Sequence, residues 1–159
     1  MKARIDLKSV NPGIMQAILG LERQVRHGGL DHKLLDLVRM RASQINGCAY
    51  CLDMHSKDAR AGGETEQRLY GLSAWRDAPY YSDKERAALE WTEAITLIAQ
   101  TNAPDDVYER VRAQFSENEL LHLTLAIVAI NSWNRMNVGF RTVAGDYVPG
   151  TLAKLQTAS

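Results

Sequence analysis

Cysteine is scarce in this chain, with two in 159 residues. Two cysteines cannot make a disulfide framework, and a chain of this length buries roughly two thirds of its unfolded surface, so its core needs no covalent staple. Net charge is absent as well. Nineteen basic residues balance nineteen acidic ones, so no global field draws the protein to nucleic acid or to an anionic membrane. No window approaches the roughly 20 apolar residues of a membrane span. The start, Met1-Lys2-Ala3-Arg4-Ile5-Asp6, lacks the apolar core of a signal peptide, which makes the cytoplasm the expected location. Sustained polar-apolar alternation, a glycine-rich phosphate loop, low complexity and internal repeats are also missing, which argues against strands, a nucleotide cradle and a solenoid.

What remains reads as helix from end to end, in one domain spanning residues 1–159. Asn11 before Pro12 is an N-cap with proline at the first helical position. It opens a segment through Ile14, Ala17, Ile18, Leu21 and Val25 that Gly28-Gly29 closes. A second helix is expected from about Asp31 to Ile45, with Leu34, Leu35, Val38, Ala42 and Ile45 on one face and Asn46-Gly47 as its break. A third runs from about Cys48 to Gly62-Gly63, followed by a short helix over Thr65 to Leu72 and a connection over Ser73 to Tyr81. Ser82 with Glu85 and Ser116 with Glu119 have capping-box spacing. Behind the first, Ala88, Trp91, Ile95 and Ile98 recur at helical period as far as Asn102, and Asp105 to about Phe115 forms one more helix. Behind the second, Leu120 to Ile130 is apolar nearly all round, the pattern of a central core helix. The tail from Val143 is expected to be irregular.

Both cysteines fall in one run, Asn46-Gly47-Cys48-Ala49-Tyr50-Cys51-Leu52-Asp53-Met54-His55. Two thiols three residues apart can close a disulfide, and residues 48, 51 and 55 share one stripe of a helix, so the imidazole can take a proton from a thiol. No βαβ pattern accompanies the pair, so a thioredoxin-like fold is not expected. The pair instead opens a helix, where unpaired N–H groups and the dipole favour thiolate over thiol. Helix position favours Cys48 as the activated sulfur, whereas the histidine spacing favours Cys51. If the flanking helices form an antiparallel hairpin, residue 36 lies opposite about residue 57, which brings Asp36 near the His55 turn. On the helical wheel Asp36 points away from Leu34, Val38 and Ala42, although Leu37 and Met40 flank it, so both a covered and a solvated carboxylate fit the spacing.

The segment from Leu35 to Gly63, and a later run from Leu125 to Arg141 including Asn131, Trp133, Asn134 and Arg135, resemble alkylhydroperoxidase D-like (AhpD-like) proteins of the carboxymuconolactone decarboxylase superfamily. The resemblance covers about two thirds of the chain. It implies an all-α fold, assembly as a homo-oligomer such as a trimer or hexamer, and no bound cofactor. It also implies a reaction, in which Cys51 attacks a peroxide and becomes a sulfenic acid, and Cys48 condenses with it to a disulfide. His55 belongs to a proton relay with the residue twelve positions before the first cysteine, here Asp36 where the family has glutamate. A dithiol electron donor, in some members a lipoylated protein, and a peroxiredoxin partner come with the resemblance. Two positions depart from the family. Asp36 is one methylene short, about 1.5 Å less reach, and Tyr50 stands where the best-known members have a histidine between the cysteines; a phenol titrating near 10 does not shuttle protons at neutral pH.

Other chemistries fit these residues less well. A zinc site would use Cys48, Cys51 and His55, with His122 or Asp36 as fourth ligand, but no second compact ligand pair exists. Haem attachment needs histidine directly after the second cysteine, and Leu52 is there. Decarboxylation belongs to superfamily members without the cysteine pair. A non-catalytic oligomeric helical module is the competing reading from another class. His27 and His32 read as solvated loop residues and His122 as a satisfied core or interface histidine. Trp91 and Trp133 read as packing, and Asn131, Asn134 and Arg135 as a polar group satisfying carbonyls or lining an interface.

Overall fold

Most helices in this protein begin where the sequence supplies a side-chain acceptor for the first unpaired N–H groups; those opening at Ile98 and Asp105 have no side-chain cap. The computed structural model describes residues 2–7 and 11–151. Helix α1 (Pro12–His27) starts at Asn11, whose side chain accepts from the Gly13 N–H at 3.1 Å. Helix α2 (His32–Asn46) is capped by Asp31 through the Lys33 N–H at 3.0 Å and stops at Gly47, which adopts a left-handed φ of 63°. Helix α3 (Ala49–Ala61) follows at once with Cys48 as its N-cap. Helix α4 (Glu66–Tyr70) is capped by Thr65 and runs into a 3-10 turn over Gly71–Ala74. Helices α5 (Asp83–Thr96) and α8 (Glu117–Phe140) both open on complete capping boxes, Ser82 with Glu85 and Ser116 with Glu119. The short helices α6 (Ile98–Thr101) and α7 (Asp105–Arg112) lie between them. The described residues contain no strand, so the all-α expectation holds.

Two sequence expectations need correction. The helix behind Ser82 does not run unbroken to Asn102. Leu97 leaves helical geometry at φ −101° and ψ 30°, and a new turn starts on its carbonyl, which accepts from Gln100 and Thr101. That break turns Ile98 outward to 53% exposure instead of into the core. Helix α8 does bury Leu123, Ala126, Ile127, Ala129 and Ile130, but Leu121 and Val128 remain 70% and 44% exposed. It is therefore central along one side only.

Helix α2 is the hub, packing against α3, α5 and α8, while α1 lies on α8 and α5 also meets α7 and α8. Leu34, Leu35 and Val38 of α2 enter one core cluster with Val25, Ala88, Trp91, Leu123 and Ile127. Leu37 and Met40 enter a second with Leu69, Leu72, Trp75 and Leu89. Each such leucine contributes roughly 1.5–3 kcal/mol by burial. Because α2 is covered on two sides, the polar side chains between its stripes are drawn into partly dry surroundings. Among them, Arg41 donates to Glu93 at 2.8 Å, and Glu93 also accepts from Trp75 Nε1 at 2.8 Å and from Arg76 at 2.6 Å, tying α2, α5 and the 3-10 region together.

The tail is irregular where it is described, as expected, but it is pinned. The Gly145 N–H donates to Asp53 Oδ2 at 3.1 Å and Lys57 Nζ donates to the carbonyls of Gly145 and Tyr147 at 2.8 and 3.1 Å. Tyr147 Oη and the Gly150 N–H donate to the two carboxylate oxygens of Asp58 at 2.8 and 3.0 Å. The residues beyond 151 lie outside the described part. Among the described residues, no helix is long and apolar enough to cross a membrane.

Candidate active site at the start of helix α3

Asn46-Gly47 ends one helix and Cys48 caps the next, so two residues of turn suffice to place the cysteine pair at a helix start. Cys48 and Cys51 are joined by a disulfide with Cα atoms 5.4 Å apart, inside the usual range. The Cys48 sulfur also does the work of a capping oxygen, accepting from the Cys51 N–H at 3.3 Å. Both cysteines are buried, at 1% and 0% exposure. Ala42 and Ile130 close around them, and Tyr50 and Trp133 pack against the cluster from its partly exposed side.

His55, one turn after Cys51, is buried, and its Nε2 has no hydrogen-bond partner. Burial pushes its pKa down to about 3, and the Arg39 guanidinium acts in the same direction. The imidazole is thus neutral across the physiological range, and the same burial makes it a weaker proton acceptor than a free histidine.

Asp36 is half-buried, with its carboxylate 3.7 Å from Arg39 Nη1. Burial raises its pKa to about 6, Arg39 opposes this, and the Asp58 carboxylate reinforces it. The influence of Asp58 agrees with a hairpin register that sets residue 36 opposite about residue 57. No direct hydrogen bond joins Asp36 to His55, whose Nε2 is unpartnered. The structure thus brings Cys48 and Cys51 together, keeps His55 dry beyond them, and leaves Asp36 beside Arg39. Tyr50 is less able to move a proton than a free phenol, since burial and the Asp53 charge push its pKa up. Among the described residues no three His, Cys, Asp or Glu side chains converge as metal ligands.

The family model for the carboxymuconolactone decarboxylase family matches residues 12–94, from α1 through most of α5. The chain belongs to that family. Within it, the chain is AhpD-like. It is 46% identical to a solved Agrobacterium tumefaciens protein of unknown function, described as a candidate antioxidant defence protein AhpD. That likeness covers 92% of this chain and all of the other, at a TM-score of 0.89. It is 42% identical over 138 residues to the uncharacterised protein YdfG of Bacillus subtilis, covering 87% of this chain and 94% of that one. The debrominase Bmp8, 18% identical with a TM-score of 0.76 over 93% of this chain and 76% of its own, shares the fold. This AhpD-like architecture therefore also carries a different activity.

Three groups around the AhpD-like motif escaped the sequence. Glu22 of α1, 6% exposed, accepts from Arg39 at 3.0 Å, making a buried pair next to Asp36. Its signal was faint, a lone acid one turn before buried Val25. Asn137 of α8 is 6% exposed and donates from Nδ2 to the Cys51 sulfur at 3.4 Å. The third is the partner set of the asparagines noted above. Asn46 Nδ2 donates to Asn131 and Asn134 at 3.0 and 2.9 Å, and Asn134 Nδ2 donates to Ser43 at 3.0 Å. Asn131, Asn134 and Asn137 recur every three residues behind the apolar run of that helix, and that spacing was the readable sign of a polar stripe facing the α2–α3 turn. His122 is a further correction: it is not satisfied, since its Nδ1 is buried without a partner. It packs so closely on Gly28 that a Cβ there would stand 2.5 Å from the ring.

Proposed function

We propose that this chain is a thiol-dependent peroxidase or disulfide reductase that cycles between a dithiol and the Cys48–Cys51 disulfide. The observation that carries the reading is a bonded cysteine pair at a helix start with a buried imidazole one turn away. Membership of the AhpD-like group supports it. In the peroxidase direction the Cys51 thiol gives its proton to neutral His55, and the thiolate attacks one peroxide oxygen. The O–O bond breaks, Cys51 is oxidised by two electrons to a sulfenic acid, and the other oxygen leaves as alcohol or water once protonated. The Cys48 thiol then displaces the sulfenic hydroxyl, which leaves as water, and the disulfide forms. A dithiol donor, such as a lipoylated protein, reduces it by two exchange steps: in each a donor thiol loses its proton and attacks as thiolate, and the cysteine thiolate released takes up a proton, so that the donor ends as a disulfide.

In this reading Asp36 receives protons from the His55 side through a bridging water, because its short side chain makes no direct bond. Its pKa of about 6 suits that role. Burial of both sulfurs means that a peroxide reaches Cys51 only when Tyr50 or Trp133 moves aside. The working unit is a homo-oligomer, a trimer or hexamer, and exposed Leu121 and Val128 on α8 supply apolar surface for association. A peroxiredoxin is a further partner under this reading.

Stopped-flow consumption of cumene hydroperoxide by pre-reduced protein tests the peroxidase claim. The wild type is expected to consume it at least 100-fold faster than Cys51→Ser, and equal rates would sink the claim. The reductase form is lost if the oxidised pair accepts electrons from no dithiol, with dihydrolipoamide and reduced thioredoxin as the probes.

A further inference from the structure

The two sulfurs each receive one N–H donor, and the donors come from different places. Cys48 is served by the backbone of its own helix, through the Cys51 N–H at 3.3 Å. Cys51 is served across the fold by the Asn137 side chain of α8 at 3.4 Å. An asparagine in a helix interior is disfavoured, and a buried amide costs free energy unless it is hydrogen-bonded. Asn137 is nonetheless almost wholly buried, and its backbone is fixed as well, because its carbonyl accepts from the Thr142 N–H at 2.9 Å where α8 closes. The side-chain amide is therefore held on the sulfur by a rigid element. Burial by itself disfavours a thiolate at Cys51, and an amide donor answers this without bringing a charge or a titrating group.

We propose that Asn137 is a catalytic residue of the redox cycle, donating its side-chain N–H to Cys51 Sγ so that this sulfur is stabilised as a thiolate. The same donor serves both half-reactions. It lowers the cost of the attacking thiolate and stabilises Cys51 as the leaving thiolate when an incoming dithiol opens the disulfide at Cys48. It also separates the two cysteines chemically, since the helix-start N–H favours Cys48 and Asn137 restores the balance toward Cys51. The attacking role rests on the peroxidase reading, whereas the thiolate stabilisation does not.

The test uses the full-length Cys48→Ser protein, in which serine keeps the cap and Cys51 is the lone thiol. Its pKa is read from thiolate absorbance at 240 nm and from the pH dependence of iodoacetamide alkylation. Asn137→Leu in that background is expected to raise the Cys51 pKa by about 1–2 units and to slow alkylation at pH 7 roughly 10-fold or more. In the Cys51→Ser background the same substitution leaves the Cys48 pKa unmoved. Should Asn137→Leu fail to fold, Asn137→Ala, which removes the same amide donor without adding apolar bulk, must give the same shift. A Cys51 pKa unchanged within 0.3 units, or an equal shift at Cys48, overturns the proposal. Peroxide consumption by wild type is measured alongside. A protein that ignores peroxide yet shows the shift refutes the peroxidase reading alone, and one that consumes peroxide without the shift refutes the role of Asn137 alone.

Discussion

Glu93 and Asp36 are carboxylates at similar depth, 15% and 20% exposed along the side chain, and they have opposite fates. Burial alone would push both up. Around Glu93, hydrogen bonds from Trp75, Arg76 and Arg41 outweigh it and hold the carboxyl below its usual range. Around Asp36 the guanidinium in ion-pair range is that of Arg39, at 3.7 Å, and it is shared with Glu22 at 3.0 Å, while His32 adds a smaller pull. The Asp36 pKa rises to about 6. A saturated carboxylate is a structural tie, whereas an under-satisfied one is available for proton traffic. His55, buried with a bare Nε2, belongs with Asp36 in this respect. The region beside the cysteines is kept short of partners, and the region around Glu93 is not.

The largest effect expected from breaking this contrast falls on the imidazole. His55→Ala should lower the rate of peroxide consumption by roughly 10²–10⁴-fold, read by stopped flow at pH 7. It should also remove an acid sensitivity. The folded-state pKa of about 3 lies below the unfolded value of 6.5, so the unfolded chain binds the extra proton and wild-type stability falls as pH drops from 6.5 toward 3. Urea melts across that window should show a shallower decline in the variant.

Glu93→Leu should come next, removing the shared acceptor of Arg41, Arg76 and Trp75 at a cost of about 2–4 kcal/mol, with peroxide consumption per folded molecule changed less than two-fold. Urea melts at pH 7 check the first part and stopped flow the second. Asp36→Asn should do the reverse, slowing consumption about 10-fold and stabilising the fold by about 1–3 kcal/mol near pH 7. Here the sign is opposite to His55. Asp36 is raised in the folded state, so its cost grows as pH rises from 3.8 through about 6, and the gain from Asn should vanish below pH 3.8. Smallest of all, Tyr147→Phe removes the 2.8 Å bond to Asp58 and should cost about 0.5–1.5 kcal/mol without changing the rate, checked by the same melts and a stopped-flow trace.

What the sequence revealed was mostly local. The caps at Asn11, Ser82 and Ser116 and the break at Asn46-Gly47 follow from side chains bonding backbone a few residues away, and all appear in the structure. The cysteine pair with His55 on one helix was legible for the same reason. The depth of Asp36 was not, because a helical wheel reports direction but not whether a second layer covers that direction. Leu37 and Met40 hinted at such a layer, and the second core cluster supplies it. Glu22 and Asn137 escaped because their partners, Arg39 and Cys51, lie on other helices 17 and 86 positions away. The break at Leu97 carries no glycine or proline to announce it.

The central claim, that Cys51 is the sulfur that meets the peroxide, is tested most directly by trapping its sulfenic acid. Cys48→Ser protein, reduced and then treated with one equivalent of cumene hydroperoxide in the presence of dimedone, is digested and read by mass spectrometry. Near-stoichiometric dimedone is expected on the Cys51 peptide, and little on Cys48 in the matching Cys51→Ser protein. Label on Cys48 in Cys51→Ser, with none on Cys51 in Cys48→Ser, would contradict the claim.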